Sequence, residues 1–280
     1  MIGACRACGR PVTRTFVDLG MSPLANSFVP IDRASAPEKF YPLHAFVCDH
    51  CCLVQLGEFE APEHIFSAEY PYYSSYATSW LEHARRYAAD MTARFGLNAR
   101  SQVAEVGSND GYLLRYFAER GIAVFGIDPA RNCAMAAQAV GVPTEVCFFG
   151  STTAAEIVSR RGQADLMAAN NVLAHVPDLR DFVAGFAVML KPEGVLTFEF
   201  PHLLKLMTFN QFDTIYHEHY SYLALGTVQR VLAQQDLRVF DVEELPTHGG
   251  SLRLFVCHEA ARHAETPSVA RVLEIGRAHV

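Results

Sequence analysis

From Ser101 onward, apolar runs of six or seven residues alternate with stretches whose apolar positions recur every three or four residues. The runs "QVAEVG" (102–107), "AVFGID" (123–128), "TEVCFF" (144–149), "ADLMAAN" (164–170) and "GVLTFEF" (194–200) read as strands. Between them, Tyr112 to Arg120, Ala130 to Val140 and Leu179 to Leu190 read as helices. Strands that are apolar on both faces and separated by helical crossovers imply a doubly wound, mostly parallel α/β sheet. A further helical pattern from Leu225 to Gln235 precedes "LRVFDVEEL" (237–245) and "SLRLFVCHE" (251–259), joined by "PTHGG". That link is too short for a crossover, so the last two strands pair antiparallel. A parallel sheet ending in such a hairpin differs from the ordinary dinucleotide fold.

Upstream the pattern changes twice. Trp80, Ala84, Tyr87, Ala88, Met91 and Phe95 recur at helical spacing, with Gly96 placed as C-cap. Before this helix, "YPYYSSYATSW" (70–80) is too polar and aromatic for a core strand. Five of the eight cysteines crowd the first fifth of the chain, in "CRAC" and "CDHCC". The expected division is a cysteine module over 1–68, an aromatic segment and linking helix over 69–98, the α/β sheet domain over 99–262, and a tail over 263–280.

Composition narrows the function class. An apolar fraction of 50%, a charged fraction of 19% and a single Trp describe an ordinary globular protein. A formal charge of −7 opposes broad binding to a phosphate backbone, which rewards a basic face. The expected partner is a small molecule, not nucleic acid or membrane. No apolar run approaches the roughly 20 residues of a spanning helix and no signal-like start is visible, so cytoplasm is the expected compartment, with the chain a monomer or weak homo-oligomer.

In a reducing compartment, two Cys-x-x-Cys knuckles point to one tetrahedral zinc held by Cys5, Cys8, Cys48 and Cys51. His44, His50 or Cys52 can replace a ligand, and buried or redox-active thiols are the alternative. Four thiolates leave no open position, so such an ion is structural.

Open α/β sheets bind ligands beyond the carboxyl ends of their strands. The first strand ends in "EVGSNDG", whose G-x-x-x-G spacing lacks the pyrophosphate fingerprint. Asp128 ends the second strand, where an acid accepts hydrogen bonds from ribose hydroxyls. A nucleoside without a pyrophosphate fits, although a glycine turn can also be a plain strand-to-helix connection. The remaining cluster is "IYHEHYSY" (215–222). In an extended conformation His217 and His219 share one face with Glu218 opposite, the geometry of a His-x-His metal pair. The competing readings are proton transfer and a solvated aromatic loop.

Glu105 beside the glycines, Asp128 at the next strand end and the terminal hairpin together resemble class I S-adenosylmethionine-dependent methyltransferases. The resemblance implies that Glu105, Gly107 and Asn109 face the methionine portion, with Gly111 in the same turn. It places Asp128 at the ribose, Phe148 or Phe149 at the adenine, and Asn170 and Asn171 beside the sulfonium. With "CRAC", "CDHCCLVQL", "YPYYSSYATSW", "NNVLAHVPD", "YHEHYSY" and "THGGSLR" in this order, the chain resembles zinc-containing C-methyltransferases of nucleotide-linked 4-keto deoxysugars. Such a reaction needs a base for the proton next to a ketone and a donor for the resulting enolate oxygen. Histidine has a suitable pKa for the base. His219 is the expected base, Tyr216 and Tyr70 acid, donor or positioning groups, and Glu218 a substrate or histidine contact. Tyr72, Tyr76, His175, His217 and His248 are expected at the substrate. An O- or N-methyltransferase, a zinc-module nucleic-acid binder and a zinc hydrolase built on His217 and His219 are the rival readings. The family continues past the hairpin into a further α/β domain, so the tail reads as a truncation of it.

Overall fold

The computed structural model describes residues 3–61 and 70–277. The expected boundary at 68–69 falls outside them. The first three strands are β1 (Arg14–Ser22), β2 (Tyr41–Val47) and β3 (Val54–Leu56). Helix α1 (Thr78–Phe95) buries Ala84, Tyr87, Ala88 and Met91, the stripe expected from spacing, and Gly96 caps it in the left-handed conformation. The chain then alternates through β4 (Gln102–Val106), α2 (Leu114–Ala118), β5 (Ala123–Ile127), α3 (Arg131–Ala139), β6 (Thr144–Glu145), α4 (Ser151–Arg161), β7 (Ala164–Asn170), α5 (Leu179–Met189) and β8 (Leu190–Pro201). It closes with α6 (Leu203–Thr208), β9 (Ser221–Tyr222), α7 (Leu225–Ala233), β10 (Leu237–Leu245), β11 (Ser251–His258) and α8 (Pro267–Arg277).

Seven strands form the main sheet in the order β10-β11-β8-β7-β4-β5-β6. The five from β6 to β8 are parallel, and β11 enters antiparallel between β8 and β10. The hairpin therefore inserts its second strand next to the parallel set. Side chains alternate between two cores, as strand geometry requires. Leu252, Leu254 and Val256 of β11 face one core with α4, α5 and α7. Phe255 and Cys257 face the other with α1 and α2.

One expected strand is corrected, and two helices are present for which the sequence reading held no expectation. The strand expected over 144–149 stops at Glu145. It pairs only with β5 at the sheet edge, and Cys147, Phe148 and Phe149 turn away to line a cavity. Phe149 packs on Phe182 and Phe186, a better burial for an aromatic than an open edge. Helix α4 was not expected, because Ala154 and Ile157 are its only buried side chains and leave a weak periodic signal. The tail holds helix α8, whose Val269 and Val272 are buried in the main core.

The N-terminal strands build a second, antiparallel sheet in the order β1-β2-β3-β9. Its fourth strand comes from the far end of the chain. Cys5, Cys48, Cys51 and Leu53 belong to the same buried cluster as Phe182, Phe186 and Val228. No helix of the described residues is long and apolar enough to cross a membrane.

Candidate active site

The carboxyl ends of β4, β5 and β7 open on a cavity of about 560 Å³. Gly107 makes the first turn with φ of +70°, and a Cβ there would lie 2.3 Å from Val172 Cγ2. Only glycine permits this approach of loop to loop. Asn109 is also left-handed, at φ of +47°, and its backbone N–H donates to Asp128 Oδ2 at 2.8 Å. Ala130 N donates to Oδ1 of the same carboxylate at 2.9 Å. Burial raises the Asp128 pKa, and these two amides oppose the shift.

Gly107, Asn109, Asp128, Phe148, Phe149, Asn170 and Asn171 line the cavity as expected. Glu105 and Gly111 do not. Gly111 faces Val140 and Val142, so its service is packing against the segment that follows α3. Glu105 is fully buried on β4, where desolvation holds its pKa well above the usual carboxylate range. The Tyr112 hydroxyl eases it electrostatically, but neither oxygen has a hydrogen-bond partner of good geometry. The Oδ1 atoms of Asn170 and Asn171 are likewise unpaired. No lysine or arginine lines the cavity among the described residues, whereas Asp128, Asp178, Asp181 and Glu218 do. Such an acceptor-rich, acidic wall fits a cationic ligand that brings its own donors.

One side of the cavity is the aromatic segment. Asn109 grips it twice, through Nδ2 to Tyr72 O at 3.1 Å and through Oδ1 from Ser74 N at 2.9 Å. Asn132 does the same at Tyr70, accepting from its N–H at 3.2 Å and donating to its carbonyl at 2.8 Å. Tyr70 and Tyr72 line the cavity, but Tyr76 is 75% exposed and does not. The substrate role expected of Tyr76 has no support in this placement.

A further wall comes from the stretch 215–222, which is extended only at β9. A turn closes on itself with His219 N donating to Tyr216 O at 3.0 Å, and the two histidines consequently part. His217 Nε2 donates to Pro42 O at 3.2 Å and sits edge-on to Tyr41 and Phe59, outside the cavity. The expected shared face of His217 and His219 does not form. Tyr216, Glu218 and His219 all face inward. His219 Nδ1 must donate to the Thr214 carbonyl, 3.0 Å away, which leaves Nε2 to accept the Tyr216 hydroxyl at 2.8 Å. Burial pulls the His219 pKa down to about 4, so the imidazole is neutral at ordinary pH. His175 lies edge-on to it with centroids 4.6 Å apart, and burial holds its pKa well below the usual imidazole range. His248, at φ of +50°, meets the Trp80 ring edge-on and completes the rim.

The sequence signal missed Asn26, Trp80 and Tyr112, which also line the cavity. Trp80 falls on the helical core spacing, and Tyr112 at the start of a helical pattern. Asn26 carries no pattern at all.

The four sulfurs of Cys5, Cys8, Cys48 and Cys51 lie within 4.8 Å of one another. Cys5 and Cys51 are 3.4 Å apart, and Cys8 and Cys48 3.6 Å. Zinc–sulfur bonds of about 2.3 Å give tetrahedral edges of about 3.8 Å, so the set suits that ion. Gln55 Nε2 points at Cys5 at 3.3 Å, and the Cys51 thiol together with this amide draws the Cys5 pKa down. His44 instead meets Thr15 and Asp18, and exposed Cys52 stands outside the cluster.

Comparison with known proteins agrees with this architecture. A zinc binding domain model matches residues 5–66 and a methyltransferase domain model residues 80–242. The C-methyltransferase NovU of Streptomyces niveus is 37% identical over 272 residues, which is 97% of this chain and 64% of that protein. The chain thus spans less than two thirds of that relative. A ubiquinone biosynthesis O-methyltransferase of Rhodopseudomonas palustris is 30% identical over 95 residues, 34% of this chain and 38% of that protein. The magnesium protoporphyrin IX methyltransferase of Synechocystis PCC 6803, solved with bound SAH, superposes with a TM-score of 0.51 at 16% identity, covering 64% of this chain and 83% of that one. That likeness concerns the fold. The methyltransferase model alone covers more than half of the sequence, and the sheet order agrees: the chain belongs to the methyltransferase-domain family, with a class I fold behind an N-terminal four-cysteine domain.

Proposed function

We propose that this chain carries the cofactor and sugar sites of an S-adenosylmethionine-dependent C-methyltransferase acting on a nucleotide-linked 4-keto deoxysugar. The observation that carries the reading is the line Tyr216–His219–Thr214, opening beside Glu218 into the cavity that Gly107, Asn109 and Asp128 also line. The name of the Streptomyces niveus relative supports carbon as the methylated atom.

The residues present fit the cofactor. Asp128 offers acceptors for ribose hydroxyls, Asn170 and Asn171 are acceptors short of donors, and Phe148 and Phe149 are apolar walls for a base. When bound, S-adenosylmethionine supplies an electrophilic methyl group. The protein must generate a nucleophilic carbon opposite it. His219 Nε2 is a neutral base whose tautomer is set by Thr214, and it takes the Tyr216 hydroxyl proton as the Tyr216 oxygen removes the proton next to the ketone. The C–H electron pair passes into the enolate, and the proton rests on His219. Burial raises the Tyr70 pKa, so its hydroxyl stays protonated and donates where enolate charge develops. Burial also raises the Tyr216 pKa, which prevents phenolate from forming without His219. His217, turned outward, has a positioning role instead of a substrate contact. The four cysteines suit one structural zinc with no open position, and cytoplasm keeps such thiols reduced.

The test follows solvent deuterium entering the carbon beside the ketone when the protein is given labelled cofactor and a panel of 4-keto sugar nucleotides. Exchange and methyl transfer depend on His219. A His219→Asn variant that exchanges at the parental rate refutes this assignment of the base.

A further inference from the structure

Asn26 follows β1 in the cysteine domain and is the one residue among the described positions 3–61 that lines the cavity. Its backbone is left-handed at φ of +58°, a conformation that Asn, Asp and Gly tolerate best. From there Nδ2 donates to Glu218 Oε1 at 2.8 Å, across 192 residues of sequence. The same wall is gripped from behind. His217 is tied to Pro42, Leu56 N donates to Tyr220 O, and β9 pairs with β3. The cysteine domain therefore holds both sides of Glu218, one neighbour by its imidazole and the carboxylate itself by Asn26.

Glu218 is 2% exposed and has no lysine or arginine partner among the described residues. Tyr70 and Tyr216 line the same cavity and feel its charge, and His175 engages its backbone. Burial raises its pKa, and the Asn26 amide is the interaction that opposes the rise.

We propose that Asn26 is a positioning residue for the reaction: it fixes Glu218 so that the second carboxylate oxygen is presented to a hydroxyl of the sugar. This rests on the function proposed above. An ionised carboxylate is the stronger acceptor from hydroxyls, and one anchored oxygen leaves the other aimed at the ligand. Specificity follows, because a deoxygenated sugar leaves that buried acceptor unmatched.

The test uses the full chain with Asn26→Gly and Asn26→Asp, both compatible with the left-handed backbone. Carbon-13 labelling of glutamate, with Glu218→Gln for assignment, reads the Glu218 titration directly. Its midpoint moves up in both variants, while affinity for S-adenosylhomocysteine stays near parental and the melting temperature falls by only a few degrees. The kcat/KM for the keto sugar falls about ten- to a hundredfold, the scale of a hydrogen bond to a charged group. An unmoved Glu218 titration overturns the inference whatever the substrate. So does parental kcat/KM in a variant whose Glu218 has shifted. If the parent methylates no keto sugar and Glu218 still shifts, the Asn26 coupling stands and the substrate reading fails.

Discussion

Arg253 of β11 and Glu199 of β8 form the most deeply buried ion pair among the described residues, 2.8 Å apart with side chains 6% and 0% exposed. His83 Nε2 lies 2.9 Å from the same Glu199 oxygen, and Thr247 Oγ1 donates to the other at 3.0 Å. Replacing Arg253 by Met keeps an apolar stem against the Tyr87 ring but strands Glu199 without its cation. Breaking a buried pair from one side costs about 3–5 kcal/mol. The second Arg253 partner, Glu243, has a 39% exposed side chain and adds under about 1 kcal/mol. At about 2–4 °C per kcal/mol for a domain of this size, the variant melts roughly 10 °C lower at pH 7. Acid supplies a second signature. Burial pushes the Glu199 pKa up, but the His83 hydrogen bond and the Arg253 charge outweigh it and hold it below the usual range. A depressed native pKa contributes stability above the unfolded value and loses it as pH falls through the native one. Without Arg253 burial dominates, the native pKa rises, and protonation becomes stabilising. The deficit seen by thermal denaturation at pH 7 therefore shrinks towards pH 4. A melting temperature within about 2 °C of the parent, or a deficit that grows in acid, refutes the reasoning.

Other outcomes follow from the same geometry. Gly107→Ala forces a Cβ into Val172 at positive φ, and calorimetry should show S-adenosylhomocysteine binding weakened at least about tenfold, or about 1.4 kcal/mol. Asp128→Asn presents an amide to two backbone N–H groups that need acceptors, so it weakens cofactor binding and lowers thermal stability together. Native mass spectrometry of the parent should find one zinc per chain, and Cys48→Ser should lose it.

Periodicity made the parallel sheet legible, because its strands are buried on both faces and its helices carry wide apolar stripes. It failed where burial is partial. Helix α4 hides only two side chains, and the run at 144–149 is apolar because it builds a cavity wall, not a strand. Spacing also made legible the four cysteines that cluster and most of the residues that line the cavity, since strand ends are where a parallel sheet places its ligands. Gly111 and Glu105 show the limit: the turn was recognised, but which of its members face the cavity depends on packing against Val140, Val142 and Tyr112. Asn26 was invisible because its partner lies 192 residues away.

The outward turn of His217 explains why a cysteine domain belongs with this sheet. A cavity wall made of one irregular stretch has few backbone hydrogen bonds of its own, and irregular segments move unless something outside pins them. Here the pins come from the second sheet: Pro42 takes the His217 imidazole, Leu56 takes the Tyr220 carbonyl, and Val54 and Gln55 pair with Tyr222 and Ser221. Strand β3 begins three residues after Cys51, and Gln55 on that strand also reaches the Cys5 sulfur. Loss of a zinc held by the four cysteines is therefore expected to loosen the strand against which His219 and Glu218 are held, while the turns at Gly107 and Asp128 keep their own support from β4 and β5. Chelation should accordingly cost methyl transfer far more than S-adenosylhomocysteine affinity. Equal loss of both would mean that the cysteine domain stabilises the whole fold without any particular hold on the cavity wall.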